Sequence, residues 1–415
     1  MIALQEIICT SGGSPLTVES SGTPPEGITE IFLPRTLPGP VSLGRLELVY
    51  RFDEAALCCF KNGFQSWSSS GECSPHEKET LLASPARLVK LHRFGDDHFL
   101  RGKLAACSRR PGLFVSHTYT YLRYAADSIT LAGSIDERSG YTLFTVDLTE
   151  RTLTVSKDLE GGLFSPGDLL LSLFVCDGSE GECFAGYWRE TEARTSRPPR
   201  ARAAGGALPS GREDPALGRR DDPGRRDLLP TGWTSWYNYY TGITEDILLG
   251  NIEALADSGA PVDYFQIDDG YQEAVGDWLR IKNTFPRGMK YLADRAREAG
   301  FTPGLWLAPF ICERRSSLAR EHPEWILTDD RGRRVPAGWN PGWSGTFYAL
   351  DTDNPDFLAC LRGVFETVFD GWGFAMVKLD FLYAAGMAPR NGKTRGRLMY
   401  EAMDFLRSCA GNKII

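Results

Sequence analysis

The chain carries the apolar run MVKLDF at residues 376–381, with one lysine near its middle and one aspartate near its end. Successive side chains of a β-strand point to opposite faces, so Lys378 and Asp380 share a face and the apolar residues between them share the other. We interpret the run as a strand of a parallel β/α barrel, whose site forms at the carboxyl ends of the strands. Because lysine is seldom buried without a partner, we expect Lys378 to pair with Asp380 and keep it ionised. The alternative is a helix-capping aspartate beside a lysine that reaches solvent.

Composition and length bound the possible functions. The chain has 415 residues, of which 42% are hydrophobic and 24% charged, and its net charge at pH 7 is -8. This length predicts two domains, and the negative charge disfavours nucleic acid or an anionic membrane as the main partner. The start of the sequence lacks the basic and apolar segments of a signal peptide, and no apolar run reaches the length of a membrane span. We therefore expect a cytoplasmic protein.

The cysteines and histidines predict no metal centre. Ten cysteines are scattered without a C-x-x-C pair, and only one of the five histidines follows residue 117. Neither set shows the spacing of a zinc site, and a Ser-His-Asp triad in the C-terminal half is disfavoured. We expect reduced core cysteines, no metal and no cofactor.

The first half of the sequence predicts a β domain. Residues 1–190 repeatedly show strand-like alternation, for example at 46–50 and 142–146, with Gly, Pro, Asp and Ser between the runs. We predict an antiparallel β-sandwich. The loop NGFQSWS at 62–68 presents Trp67, which we expect to pack on the second domain, to form a sugar platform or to complete the pocket of a neighbouring subunit in a homo-oligomer.

A change of composition marks the domain boundary. Nine arginines and six prolines lie within residues 194–230, and no aromatic residue occurs from 189 to 232. We predict a linker or surface loop over 191–230. Residues 231–415 then alternate short apolar strands with helices, which predicts a (β/α)8 TIM-type barrel. The predicted strands include residues 264–267 and 376–379 and an extra one at 348–350. Such a barrel takes about 250 residues, so we expect only about its first half to be present.

Polar and aromatic residues end four of the predicted strands. They are Trp236, Asp268 with Asp269, Trp306, and Lys378 with Asp380. Carboxylates accept hydrogen bonds from sugar hydroxyls, and tryptophan offers a flat surface to a pyranose ring. The set predicts a carbohydrate pocket, although a plain Asp-Gly turn remains the alternative for residues 268–270.

Four motifs in order carry a resemblance to a known family. They are GWTSW at 232–236, QIDDG at 266–270, GLWLAP at 304–309 with HPEW at 322–325, and VKLD at 377–380. Over residues 231–415 the chain resembles glycoside hydrolase family 36, the α-galactosidases and their relatives, and the β-rich first half fits that family's N-terminal domain. The resemblance implies a retaining hydrolase that releases terminal α-linked galactose from oligosaccharides by double displacement.

The resemblance also implies roles for individual residues. Asp380 matches the nucleophile, Lys378 a sugar-binding lysine, Asp268 and Asp269 the acidic pair that binds galactose hydroxyls, and Trp236 and Trp306 the aromatic walls. The sequence departs from the family where an arginine is expected, since Trp343, Ser344 and Gly345 stand there. The family's acid/base aspartate lies on a later strand, so we expect a truncated form that is inactive alone.

Two other classes of function stay open. One is a carbohydrate-binding protein without catalysis, and the other is an inactive or structural fragment. Within the enzyme class, α-N-acetylgalactosaminidase activity and galactosyl transfer are the alternatives to galactoside hydrolysis.

Overall fold

The computed structural model describes residues 2–22, 27–65, 68–79, 107–195 and 230–415. The described residues of Met1–Arg202 and Ala388–Tyr400 form one compact unit, unit 1. Those of Ala203–Met387 and Glu401–Ile415 form a second, unit 2. Trp67 and most of the predicted linker, residues 196–229, lie outside the described residues.

Unit 1 is built from antiparallel sheets. Its strands are β1 Ile2–Ser11, β2 Ser14–Pro15, β3 Glu19–Ser21, β4 Gly27–Phe32, β5 Val41–Leu43, β6 Arg45–Phe52, β7 Cys58–Lys61, β8 Gly71–Cys73, β9 Leu113–His117, β10 Tyr119–Ala125, β11 Ser128–Ser134, β12 Thr142–Asp147, β13 Thr152–Lys157, β14 Gly162–Phe164 and β15 Leu169–Gly178. Among the described residues, one sheet has the order β2-β1-β6-β13-β12-β9 and another the order β3-β4-β15-β11-β10-β7-β8, while β14 pairs with β5.

The apolar faces of the two large sheets share one hydrophobic cluster. Leu48 and Tyr50 of β6 and Leu171 and Leu173 of β15 are all 0–1% exposed within it. The alternation along β6 therefore buries every second side chain, as the sequence pattern predicts for a strand with one solvated face. Helix α1, Glu180–Thr195, follows β15 and extends five residues into the segment predicted as a linker.

Unit 2 contains a parallel sheet with the order β16-β17-β18-β22. These strands are β16 Gly232–Thr234, β17 Tyr264–Ile267, β18 Thr302–Leu307 and β22 Met376–Leu379. Ile267 pairs with Leu305 and Leu305 with Val377, and these three apolar side chains are at most 1% exposed. Ile414 adds a parallel bridge to Met376. The described residues thus show four neighbouring parallel strands, and closure into a (β/α)8 barrel stays a prediction.

The strand predicted at residues 348–350 does not join the parallel sheet. It is β21, Gly345–Ala349, the middle of an antiparallel sheet with β19 Ile311–Glu313 and β20 Pro336–Asn340. The prediction of another barrel strand here was wrong because the segment before it reverses direction at residues 341–344, where the turn joins β20 to β21.

The remaining helices begin and end at ordinary signals. They are α2 Trp236–Tyr239, α3 Glu245–Ser258, α4 Gly288–Glu298, α5 Ser317–Glu321, α6 Pro355–Glu366 and α7 Arg395–Ala410. The Thr244 side chain accepts a hydrogen bond from Ile247 N at the start of α3, and Gly259, with φ 64°, ends that helix. No helix in the described part of the chain is long and apolar enough to span a membrane.

Candidate active site

The predicted site residues lie along the carboxyl-end edge of the parallel sheet in unit 2. Trp236 opens α2 two residues after β16, and Asp268 and Asp269 follow β17 directly. Trp306 of β18 pairs with Lys378 of β22. Because Ile267 pairs with Leu305, the next residue, Asp268, lies level with Trp306. Parallel strands bring their carboxyl ends to one edge, so this edge combines acidic, basic and aromatic side chains.

Asp268 is a buried carboxylate with a cationic partner. It is 2% exposed, and its Oδ2 accepts hydrogen bonds from Lys378 Nζ at 2.7 Å and from Thr234 Oγ1 at 3.3 Å. Its backbone N–H donates to Ser235 Oγ at 2.9 Å, and its Oδ1 accepts from Asp269 N at 2.9 Å. Strands on both sides therefore hold this carboxylate in place.

The expected pairing of Lys378 with Asp380 was wrong, because Lys378 pairs with Asp268. Residues i and i+2 of a strand are about 6.6 Å apart, whereas β22 and β17, which have β18 between them, are about 9.6 Å apart. The long lysine side chain covers the larger distance and donates to Oδ2 of the buried Asp268 at 2.7 Å. The Lys378 side chain is also 40% exposed rather than buried.

Asp269 is buried among neutral donors. It is 3% exposed, and its carboxylate accepts hydrogen bonds from Trp343 Nε1 at 2.7 Å and from Gln272 Nε2 at 2.6 Å. Burial raises the pKa of Asp269 to about 6, and the charge of Asp268 also raises it, while the two hydrogen bonds and Lys282 act in the opposite direction. Asp269 therefore changes charge close to neutral pH.

Asp380 is half-buried and held by two N–H groups. Its Oδ2 accepts from Trp306 Nε1 at 3.1 Å, and its Oδ1 accepts from the backbone N–H of Phe381 at 2.8 Å. Phe381 has φ 54°, a left-handed conformation that is rare for an aromatic residue. Among the described residues no cation is bonded to Asp380, so its carboxylate is oriented by neutral donors.

An aromatic cluster supports these carboxylates. The Trp306 ring lies 6.0 Å from Trp278 and 6.4 Å from Trp343, and the Phe381 ring lies 5.3 Å from both Trp343 and Phe347. Burial of Tyr383, together with the charge of Asp380, raises the tyrosine pKa.

The two tryptophans predicted as pocket walls lie in different surroundings. Trp306 is 1% exposed and binds Asp380 through its indole N–H, whereas Trp236 is half-buried and packs edge-on against the Tyr240 ring at 5.2 Å. Their role as walls stays a prediction.

The sequence interpretation missed Trp343 and Gln272 as partners of Asp269. Trp343 was noted only as a departure from the family pattern. A signal was available, since this tryptophan stands in the segment GWNPGWSG at 338–345, where a large apolar side chain lacks a strand pattern that would bury it. Gln272 lies three residues after Asp269, within reach of a local side-chain bond.

The arrangement suits the binding of a polyhydroxylated ligand. Each carboxylate oxygen has two acceptor sites, so Asp268 and Asp269 keep capacity for ligand hydroxyls beside their protein donors. Asp380, aimed by two N–H groups, is a third carboxylate on the same edge. No group of three or more His, Cys, Asp or Glu side chains in the described ranges is arranged to hold a metal ion.

Comparisons with known proteins agree with this chemistry. Residues 225–395 match the Melibiase family model. The chain is 30% identical over 195 residues to an α-galactosidase of Escherichia coli, covering 43% of this chain and 26% of that protein. It is also 30% identical over 163 residues to an A type blood α-D-galactosamine galactosaminidase of Flavonifractor plautii, covering 37% of this chain and 14% of that protein. These matches span only a small part of each curated relative.

A solved structure is similar over nearly the whole chain. It is the α-galactosidase TtGalA from Thermus thermophilus in complex with p-nitrophenyl α-D-galactopyranoside, with a TM-score of 0.67 and 29% sequence identity. The similarity covers 99% of this chain and 70% of that chain.

Proposed function

We infer that this chain acts on terminal α-linked galactose. The inference is supported by the match of residues 225–395 to the Melibiase family model and by the resemblance of the chain to α-galactosidases of glycoside hydrolase family 36. The observation that carries the proposal is the edge of the parallel sheet, where the buried pair Asp268 and Asp269 and the oriented carboxylate Asp380 lie together. The partner is an α-galactoside or oligosaccharide.

We propose Asp380 as the nucleophile of a retaining mechanism. One Asp380 oxygen forms a bond to the anomeric carbon as the bond from that carbon to the leaving oxygen breaks, which gives a glycosyl ester. Water then hydrolyses the ester and restores the carboxylate. The Trp306 indole N–H and the Phe381 backbone N–H fix the direction of attack, since they occupy one lone pair on each oxygen. In a retaining enzyme a second carboxyl group about 5–5.5 Å away protonates the leaving oxygen.

The acidic pair and its partners serve galactose recognition in this proposal. Asp268, neutralised by Lys378, and Asp269, held by Trp343 and Gln272, accept hydrogen bonds from the sugar hydroxyls. Lys378 is 40% exposed, so its ammonium group also has room to donate to a hydroxyl. Within the described part of the chain, the groups that donate hydrogen bonds to the Asp380 carboxylate are the N–H groups of Trp306 and Phe381, neither of which is a carboxyl group that protonates a leaving oxygen.

Activity on N-acetylgalactosamine or galactosamine is the second candidate. The similarity to the galactosaminidase of Flavonifractor plautii favours it. The two activities differ at the substituent on carbon 2, so matched aryl α-galactoside and α-N-acetylgalactosaminide substrates separate them.

The test uses α-galactosyl fluoride, because fluoride leaves with little help from a general acid. We expect fluoride release by the full chain and its loss in Asp380→Asn. A galactosyl fluoride that carries a second fluorine on the ring slows ester hydrolysis, and we expect its adduct on the peptide that contains residues 376–381.

Galactose binding by calorimetry separates the competing interpretations. Binding without fluoride release, unchanged in Asp380→Asn, indicates a carbohydrate-binding protein. If the chain neither binds galactose nor releases fluoride, the proposal is contradicted. Release that persists in Asp380→Asn shows that another residue is the nucleophile.

A further inference from the structure

Glu313 is a buried carboxylate that the proposed mechanism does not use. It ends strand β19 and is 2% exposed. Its Oε1 accepts from Val275 N at 3.0 Å, its Oε2 accepts from Ser344 N at 2.7 Å, and Arg315 Nε lies 3.1 Å from the same Oε2. A buried carboxylate with backbone donors on both oxygens fixes the position of the two donating segments.

The two segments held by Glu313 are those that form the surroundings of Asp269. Val275 lies in the segment that follows the Asp268–Asp269 turn, and Ser344 directly follows Trp343 in the chain. Trp343 in turn donates its indole N–H to Asp269 at 2.7 Å. One carboxylate thus connects the segment that carries Asp269 with the segment that carries its donor.

The packing beside Glu313 leaves little freedom to the first segment. The backbone N–H of Glu313 donates to Val275 O at 2.8 Å, so the two residues are joined in both directions. Gly276 has φ 107°, and a Cβ atom at this position would lie 2.8 Å from the Cβ atom of Cys312. The segment around Val275 and Gly276, which follows the acidic pair, therefore packs directly against β19.

We propose that Glu313 is a positioning residue for galactose recognition, acting on Asp269 through the indole N–H of Trp343. This inference rests on the proposed function. Glu313 itself touches neither Asp269 nor any other residue of the acidic pair in the bonds described above. Its effect is to hold Ser344, and with it the neighbouring Trp343 ring, at bonding distance from Asp269.

The charge state of Asp269 reports on this connection. The titratable groups around it are Asp268, which raises its pKa, Lys282, which lowers it, and the phenol of Tyr271, whose own pKa the Asp269 charge raises. The hydrogen bond from Trp343 favours the ionised carboxylate. Glu313 is not among the groups that shift the Asp269 pKa directly, but its charge raises the pKa of Lys282, which in turn acts on Asp269. Measuring Glu313→Gln in the Trp343→Phe background separates displacement of Trp343 from this charge effect.

The experiment follows the titration of Asp269 by carbon NMR of the chain labelled at the aspartate carboxyl carbons, with Asp269→Asn to assign the signal. We expect Glu313→Gln to raise the apparent pKa of Asp269, as Trp343→Phe does. We expect the double variant to match Trp343→Phe alone, since both changes remove the same bond. Glu298→Gln, the same substitution at an exposed helix position, serves as the control and leaves the titration unchanged.

Galactose binding provides a second measurement. A rise of one unit in pKa lowers the ionised fraction of Asp269 by roughly tenfold well below that pKa. We therefore expect Glu313→Gln to weaken binding several-fold at pH 6 and much less at pH 8. Recovery at high pH distinguishes displacement of Trp343 from general damage to the fold, which pH does not repair.

Two outcomes of the titration overturn the proposal. An Asp269 titration that is the same in Glu313→Gln and in the unmodified chain overturns the proposal, as does a shift that adds to that of Trp343→Phe. If Glu313→Gln does not fold, Glu313→Asp keeps the charge on a shorter side chain and is expected to shift the titration in the same direction. Absence of galactose binding by the unmodified chain contradicts the proposed function, while the NMR titration still tests the role of Glu313.

Discussion

Each unit of the chain contains a cluster of buried carboxylates, and the two clusters are neutralised in different ways. In unit 1, Arg395 is 1% exposed and binds Glu160 through Nε and Asp158 through its terminal nitrogen at 2.6 Å. In unit 2, Lys378 is 40% exposed and binds Asp268 alone, while Asp269 has only neutral partners. Unit 1 thus surrounds its cation completely, whereas in unit 2 the hydrogen bonds to Asp269 come from neutral groups and Lys282 acts on it only through its charge.

Under the proposed function, this difference separates a structural cluster in unit 1 from a ligand-binding one in unit 2. The cluster of unit 1 is built around a buried arginine that bonds both carboxylates, and burial raises the pKa of Glu160 to about 7 against the opposing charge of Arg395. A buried carboxylate among neutral donors costs stability when it is ionised, and such groups concentrate at sites of binding and catalysis. Four substitutions test whether the two clusters really differ in this way.

The largest effect is expected from Arg395→Met. The change leaves Asp158 and Glu160 without their buried cation, and breaking a buried pair in this way costs about 3–5 kcal/mol. Urea unfolding measures the loss. Arg395→Lys keeps the charge without the forked geometry of the guanidinium group. We expect its free energy of unfolding to lie between those of the unmodified chain and Arg395→Met. A loss below about 1 kcal/mol shows that the cluster does not stabilise unit 1.

The second effect concerns Asp269 and has a defined pH dependence. Its pKa is about 6 in the folded chain against an ordinary 3.8, so the folded state binds the proton more tightly than the unfolded state. Stability therefore falls as pH rises from about 4 to about 6, by about 3 kcal/mol in total.

Asp269→Asn removes this titration. We expect the free energy of unfolding of the variant, relative to the unmodified chain, to rise between pH 4 and pH 7 by about that amount, and galactose binding to be lost. Parallel pH profiles for the two proteins contradict the prediction. Asp257→Asn, at an exposed position of α3, is the matched control.

A smaller effect is expected from Lys378→Met. The Asp268 carboxylate loses its cation but keeps its bonds to Thr234 and to Asp269 N, and the exposed lysine was already screened by solvent. We expect a loss of about 1–2 kcal/mol in urea unfolding. A loss as large as that of Arg395→Met shows that the two clusters are equivalent and removes the distinction between them.

The smallest effect is expected at an ordinary surface pair. Lys290 and Asp294 lie four residues apart on α4, with side chains 64% and 36% exposed. Lys290→Ala is expected to change the free energy of unfolding by less than about 0.5 kcal/mol. A larger change indicates that unfolding of unit 2 responds to charge in general, in which case the Lys378 result needs the same correction.

Local patterns were sufficient to predict the central strands. Residues 264–267 and 376–379 form strands with the predicted bounds, because short apolar runs ended by polar residues can bury both faces of a parallel sheet. The same patterns place Asp268, Asp269 and Asp380 at the strand ends. The antiparallel sheet of β19, β20 and β21 was missed because residues 311–349 mix glycine, proline and tryptophan without a regular alternation.

The partners within the site depend on which strands are neighbours. Strand alternation shows only that Lys378 and Asp380 share a face, so it favoured a pair along one strand. The observed pair joins β22 to the end of β17 across β18, and this requires the strand order of the folded sheet. The bond from Trp343 to Asp269 likewise depends on where the turn between β20 and β21 lies in the folded chain.

Phe381 connects the aromatic cluster with the orientation of the proposed nucleophile, Asp380. Its left-handed conformation costs about 1–2 kcal/mol for a residue with a side chain, and its N–H donates to Asp380 Oδ1 at 2.8 Å. Contacts of its ring with Trp343 and Phe347 offset that cost. Replacement by glycine relieves the backbone but removes the ring that keeps it in place. Under the proposed function, these apolar side chains act on catalysis through the backbone next to the nucleophile, so directed evolution of the pocket should include them among its targets.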